Sequence, residues 1–112
     1  MATVPTTTAV VTYNANPVTV TLVGDIYVPT ALLTTAKAAA EAALAVVAAG
    51  QAVGGTLRYS ALLGAIQHAI DPDGTGAAYV DSFTADSGTT DLPMGTGGVP
   101  ALVITGLTYH GI

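Results

Sequence analysis

The side chains that could do chemistry are few, and the two histidines come first. His68 and His110 show neither the HxH nor the HxxxH spacing with which one strand or one helix holds a metal ion. The sequence has no cysteine, so thiolate nucleophiles, disulfides and cysteine-ligated zinc or iron–sulfur sites are excluded. We therefore expect no metal site, and we expect His68 to point away from the apolar face of its helix, toward solvent or a partner.

The carboxylates also lack the spacing of a site. Asp71 and Asp73 belong to an Asp-Pro-Asp-Gly stretch that superficially resembles a calcium loop, but it lacks the next alternate ligand and the terminal glutamate of an EF-hand. A solvated turn is expected there. Asp81, Asp86 and Asp91 could supply an acid–base pair, but nothing in the sequence brings two of them together.

The serines and glycines also lack the patterns of a catalytic or phosphate-binding site. Neither Ser60 nor Ser82 lies in the GxSxG turn of a serine nucleophile. Gly95, Gly97 and Gly98 precede a predicted strand, whereas a phosphate-binding glycine loop precedes a helix. We therefore expect no catalytic residues, no cofactor and no enzyme activity.

The unusual property of the composition is its low charge. Charged residues make up 8% of the 112 residues, against about 25% in ordinary globular chains. The net charge is −5 and the permanent cations are Lys37 and Arg58, too few to neutralise nucleic-acid phosphates or to bind an anionic membrane. For the same reason the aromatic residues are not expected to form an RNA-binding platform. A surface with so few charges is expected either in a protein whose surface is covered by other subunits or in a secreted protein that tolerates a low surface charge.

The stretch from Pro17 to Gly50 predicts a strand that runs into a helix. Apolar residues at alternate positions indicate a half-buried strand from Val18 to Val28. An alanine-rich helix is predicted from Ala31 to Ala49, with Thr30 as its N-cap and Gly50 as its stop. Its aliphatic residues recur three and four positions apart and should face a sheet: Leu33, Ala36, Ala40, Ala43 or Leu44, and Val47.

The apolar run Ala31 to Val53 is long enough to cross a membrane. Lys37, Glu41 and the predominance of alanine over leucine make it a poor spanning segment. Met1 to Thr8 has no basic region and no apolar run, so it does not resemble a secretory signal. We expect a soluble domain without membrane insertion.

The rest of the chain predicts one α+β domain spanning residues 1–112. A first strand, Thr8 to Tyr13, is expected to pair as a hairpin through a turn at Asn14 to Pro17. Ser60 should cap a second helix that ends before Asp71, and its stripe is Leu62, Leu63, Ile66, Ala69 and Ile70. A strand at Ala78 to Thr84, a glycine-rich loop at Ala85 to Pro100 and a strand at Ala101 to Tyr109 follow. The predicted fold is a small mixed or mainly antiparallel sheet of three to four strands with two helices on one face, in the order β-β-α-α-β-β.

The order of these segments resembles the C-terminal domain of the baseplate J-like family. The similarity runs from about Thr3 to Thr108 and lies in soft hydrophobic patterns. They comprise the Pro-Val-Thr-Val-Thr strand at Pro17, the alanine-rich helix, the sequence from Leu57 to Ile66, and the strand from Tyr79 to Phe83. The resemblance implies a separately encoded or excised C-terminal module of a longer baseplate protein.

The resemblance implies a structural role in assembly. Members of this family are similar to wedge components of phage-tail baseplates and related contractile injection systems, so a place in the virion tail baseplate and contacts with other baseplate or tail subunits are expected, as a homo- or hetero-oligomer. We expect partner contacts at Tyr27, Tyr79, Phe83 and Tyr109. The alternative is a small-ligand or carbohydrate-binding module that uses the loop of residues 85–100.

Overall fold

The computed structural model describes residues 16–112. Its helices are α1 (Leu33–Ala49), which a 3₁₀ turn at Thr30–Leu32 precedes, and α2 (Tyr59–Ile70). Its strands are β1 (Asn16–Val28), β2 (Thr56–Leu57), β3 (Tyr79–Ala85), β4 (Leu92–Pro93) and β5 (Gly98–Gly111). The predicted first strand, Thr8 to Tyr13, and its hairpin lie outside the described residues.

The main sheet has three strands in the order β3-β1-β5. The central strand β1 pairs antiparallel with β3 and parallel with β5, so the sheet is mixed. Both helices pack on one of its faces, and β2 and β4 form a separate two-stranded sheet. The prediction of an α+β fold with two helices on a small mixed sheet is confirmed, and the observed order of elements is close to the predicted one.

The core forms along the even positions of β1. Val20, Leu22, Ile26 and Val28 are each 0% exposed, as the alternation predicts. The strand begins earlier than predicted, since Asn16 and Pro17 already pair with Gly98 and Val99. The prediction of a turn at Asn14 to Pro17 is therefore wrong for Asn16 and Pro17, which belong to the strand.

Helix α1 buries the predicted stripe but begins differently. Ala36, Ala40 and Leu44 are buried against the sheet and α2, and the helix ends at Gly50 as predicted. Thr30 is not the N-cap, because it is the first residue of the 3₁₀ turn and no side chain caps either helical segment. The 20-residue segment Thr30–Ala49 has a mean hydropathy of 1.5, enough to cross a membrane by length and composition alone. The expectation of no membrane insertion stays a prediction.

Helix α2 buries Leu62, Ile66 and Ile70 and ends before Asp71, as predicted. Its predicted cap is wrong, because the helix begins at Tyr59 and Ser60 lies inside its first turn. The carboxylate of Asp91 instead accepts the backbone N–H of Tyr59 at 3.0 Å and the guanidinium of Arg58 at 3.1 Å. A residue from the following loop thus satisfies one of the orphan N–H groups at the start of the helix.

Two irregularities decide which side chains reach the core from the outer strands. Between Val23 and Asp25 the pairing with β3 shifts, and Ser82 takes a left-handed φ of 54° opposite Gly24. Between Thr21 and Val23 the pairing with β5 shifts as well. Each shift inserts an extra residue into the outer strand, as a β-bulge does, and reverses the alternation beyond it.

The segment predicted as a loop at Ala85 to Pro100 is partly strand. Leu92 and Pro93 pair with Leu57 and Thr56, and β5 begins at Gly98. The backbone N–H of Gly54 donates to the carbonyl of Gly98 at 2.8 Å. The segment is therefore tied to the connection that precedes α2.

Candidate interaction surface on the open face of the sheet

The face of the main sheet opposite the helices has no covering layer within residues 16–112. We call it the open face. Its residues are the outward-pointing positions of the three strands: Thr19, Thr21, Val23, Asp25 and Tyr27 of β1, Tyr79, Asp81 and Thr84 of β3, and Ala101, Val103, Thr108 and His110 of β5. The bulge at Ser82 places Tyr79 and Asp81 on this face, because without the extra residue they would point to the helices.

A row of three stacked rings crosses the open face. Tyr27 of the central strand has Tyr79 as its cross-strand partner on one side and His110 on the other. The ring centroids are 5.1 Å apart between Tyr27 and Tyr79 and 4.7 Å apart between Tyr27 and His110, with interplanar angles of 21° and 18°. Stacked pairs of this kind add about 0.5–1.5 kcal/mol beyond the area that they bury.

A row of carboxylates runs beside the rings. Asp25 and Asp81 are direct cross-strand partners on β1 and β3. The His110 Nε2 lies 2.9 Å from the Asp25 Oδ1, and the two side chains are 39% and 42% exposed. Neither ion pair found among the described residues includes Asp81. The carboxylate of Asp81 is therefore the uncompensated charge of this row.

The two carboxylates affect the pKa of the neighbouring side chain, Tyr27. Desolvation raises the pKa of Tyr27 above its ordinary value, and the negative charges of Asp25 and Asp81 raise it further. A tyrosine phenol is protonated at neutral pH, so Tyr27 offers a hydrogen-bond donor next to two acceptors. The open face thus presents donors at its ring row and acceptors at its carboxylate row.

The geometry limits what this surface can bind. Because the three rings stack on one another, both faces of the Tyr27 ring are occupied, and this ring does not offer a flat platform for a nucleobase or sugar. No cluster of three or more metal-ligating side chains occurs in the part of the chain that the structure describes. A polar, slightly acidic protein-docking surface is the use that fits this arrangement best.

The four predicted contact residues divide between the two sides of the sheet. Tyr27 and Tyr79 lie together on the open face, and Tyr79 is 45% exposed. Phe83 is 4% exposed and packs in the core, where its ring meets Tyr59 at a centroid distance of 5.4 Å, so it is not part of the surface. The sequence predicted a strand here without assigning its faces, because the bulge that turns Phe83 inward and Tyr79 outward is not visible in it.

Tyr109 lies on the helix side of the sheet. Desolvation, with the charge of Glu41 as a smaller cause, raises the pKa of Tyr109 to about 12. The Nζ of Lys37 lies 5.8 Å from its ring centroid, a cation–π contact. Its hydroxyl is buried and finds no hydrogen-bond partner among residues 16–112. Tyr109 therefore belongs to the packing of α1 on β5.

The remaining candidates from the sequence stay apart. His68 is exposed on α2, as expected, and His110 is on the open face. The Asp71 carboxylate accepts the backbone N–H groups of Thr75 and Gly76 at 3.1 and 2.7 Å, and these hydrogen bonds lower its pKa. The carboxylate thus organises its own turn, and both of its oxygens are occupied by donors.

Two depressions lie away from the open face. One, of about 450 Å³, is the apolar groove between α1 and β5, and the other, of about 480 Å³, is a shallow hollow beside Gln67, His68 and the Asp71 turn. Of the loop of residues 85–100, Pro100 lines the first depression, and no residue of the loop lines the second. The alternative of a ligand site at the loop of residues 85–100 stays a prediction.

Comparison with known proteins gives no family assignment. No protein-family model matches the sequence, and no curated protein matches it. The function must therefore be argued from the surface itself.

Proposed function

We propose that the chain is a structural assembly module, as its resemblance to baseplate J-like domains implies, and that its open face docks another subunit of a phage-tail-like baseplate. The observation that carries the proposal is the open face itself. A three-stranded sheet is covered by helices on one side and bare on the other within the described residues. Such a face, with Val23 46% and Tyr79 45% exposed, is suited to protein contact.

Charge determines what kind of partner fits. The open face carries Asp25 and Asp81, and only the first of these is matched by a neighbour, His110. A second copy of the chain has little to offer, because Arg58 is bonded to Asp91 and Lys37 lies over Tyr109 on the other side of the sheet. The partner of the open face is therefore a different protein that presents lysine or arginine to Asp81.

The proposal is tested first by whether the genes beside this one encode tail tube, sheath and spike proteins, and then with those proteins. Binding of the full chain to each is measured by titration calorimetry, with Asp81→Lys as the test variant and Asp73→Lys as the control. Asp73 is exposed in the turn before β3, so the control makes the same change of charge away from the open face. We expect Asp81→Lys to weaken binding by about tenfold or more and Asp73→Lys to leave it unchanged.

Two results would contradict the proposal. Equal binding by the two variants would remove the open face as the docking surface. If none of the neighbouring tail proteins bound the chain, the assignment to a baseplate would fail.

A further inference from the structure

His110 is held on the open face by two contacts. Its ring stacks on Tyr27, its cross-strand partner on β1, with a centroid distance of 4.7 Å and an interplanar angle of 18°. Its Nε2 lies 2.9 Å from the Asp25 Oδ1. The stacking fixes the plane of the imidazole, and the hydrogen bond directs one ring nitrogen at the carboxylate. The side chain is still 39% exposed, so it exchanges protons with solvent.

The surroundings of His110 contain carboxylates but no lysine or arginine among residues 16–112. The titratable groups on its face of the sheet are Asp25 and Tyr27 on β1, and Asp81 and Tyr79 on β3. Its neighbour on its own strand and face, Thr108, does not titrate. Lys37 and Glu41 belong to α1, which packs on the opposite face of the sheet. The two aspartates are therefore the charges that the imidazole meets on the open face.

Asp25 has a different neighbour on each side. On one side its cross-strand partner is Asp81, and on the other it is bonded to His110. Like charges directly opposite each other on neighbouring strands repel. A neutral imidazole donates an N–H to Asp25 and leaves this negative charge uncompensated, whereas a protonated imidazole adds a positive charge to the same hydrogen bond.

Histidine is the side chain that ordinarily makes this change between about pH 5 and pH 8. The cluster of His110, Asp25 and Asp81 therefore carries the charge of two carboxylates at the upper end of this range. At the lower end it carries the charge of one. The part of the open face around Asp25 thus loses its attraction for cations in mild acid, while Asp81 keeps its charge.

We infer that His110 makes docking at the open face depend on pH, because its protonated imidazole neutralises Asp25 and weakens the binding of a partner that presents lysine or arginine. The inference rests on the proposed function in one respect, namely that the partner brings cations to this face. At the upper pH both carboxylates attract these cations, and at the lower pH Asp81 acts alone. Since linkage is reciprocal, a bound cation in turn favours loss of the His110 proton.

The experiment uses pentalysine as the cationic probe, so its result does not depend on which tail subunit binds. The probe is titrated into the full ¹⁵N-labelled chain at about pH 7.5 and about pH 5.5, and the dissociation constant is taken from the amide signals of the open face. Aspartate ordinarily ionises near pH 3.9, so the carboxylates are charged at both values. We expect the dissociation constant to be roughly two- to fivefold higher at the lower pH, which is the effect of one exposed charge pair.

His110→Gln is the test variant and His68→Gln is its matched control. Glutamine keeps an N–H donor for Asp25 but cannot take up a charge. His68 is exposed on α2, so the control removes the other imidazole of the chain and leaves the open face intact. We expect His68→Gln to lose affinity in acid as the parent chain does, and His110→Gln to bind equally at both pH values. Far-UV circular dichroism checks the fold of each variant.

Three outcomes would overturn the inference. The first is a dissociation constant of the parent chain that is the same at both pH values, and the second is a His110→Gln variant that keeps the pH dependence of the parent chain. The third is a probe that leaves the amide signals of the open face unshifted at both pH values. The baseplate proposal fails separately, because it is judged by the binding of the tail proteins and by Asp81→Lys.

Discussion

At the scale of single residues, Asp91 has a role that its place in the sequence does not reveal. It lies in a glycine-rich segment, yet its carboxylate receives the Tyr59 N–H at 3.0 Å and so begins α2 from 32 residues away. Sequence rules look for a cap next to the helix and therefore select Ser60. The ion pair with Arg58 adds little, because the two side chains are 68% and 43% exposed.

Replacing Asp91 should therefore cost more than replacing the expected cap. We expect Asp91→Ala to lower the free energy of unfolding by about 1 kcal/mol, the usual value for a lost cap, and Ser60→Ala to change it by less than about 0.5 kcal/mol. Urea unfolding at neutral pH measures both. Asp91→Asn keeps an oxygen acceptor, so its loss of unfolding free energy should lie between those of Asp91→Ala and Ser60→Ala. Equal effects of Asp91→Ala and Ser60→Ala would show that Asp91 does not cap the helix.

At the scale of elements, the two pairing shifts determine the faces of the outer strands. With strict alternation, Ala101, Val103, Leu107 and Tyr109 would share one side of β5. The observed register with β1 instead places Leu107 and Tyr109 on the helix side, with Leu102. Leu107 is 7% exposed as a result, and His110 reaches Tyr27 on the open face.

The bulge on β3 can be tested through its left-handed residue. Ser82 has a φ of 54°, a conformation that costs a residue with a Cβ about 1 kcal/mol or more. We expect Ser82→Gly to raise the free energy of unfolding by about 0.5 kcal/mol, after the greater entropy of glycine in the unfolded chain is subtracted, and Ser82→Val to lower it by about 1–2 kcal/mol.

The matched control is two residues further along the same strand. Thr84 has no positive φ, so Thr84→Gly should destabilise the chain by about 0.5–1 kcal/mol. Chemical denaturation of the three variants gives the comparison. If glycine had the same sign of effect at both positions, Ser82 would not be the strained residue of a bulge.

The parts that the sequence could predict are those governed by an unbroken local period. The alternation of β1 predicted four residues with no exposure, and the stripes of α1 and α2 predicted the part of the core that the helices supply. What local patterns could not show are pairings between distant segments. These include the parallel register of β5, the short pair of β2 with β4, and the meeting of Tyr79, Tyr27 and His110, which depends on two bulges in different strands.

At the scale of the whole molecule, the helices and the proposed docking surface lie on opposite faces of one sheet. Both helices pack on one face, and the open face extends over β3, β1 and β5. A substitution on the open face therefore leaves the core between the sheet and the helices unchanged.

This separation makes a prediction about Asp81. Its side chain is exposed and belongs to neither ion pair of the described residues, so Asp81→Lys should change the free energy of unfolding by less than about 0.5 kcal/mol while it weakens binding of the tail subunit. Urea unfolding and titration calorimetry of the same variant measure the two quantities. A loss of stability of more than about 1 kcal/mol would show that the variant binds less because it unfolds, and not because a docking contact is lost.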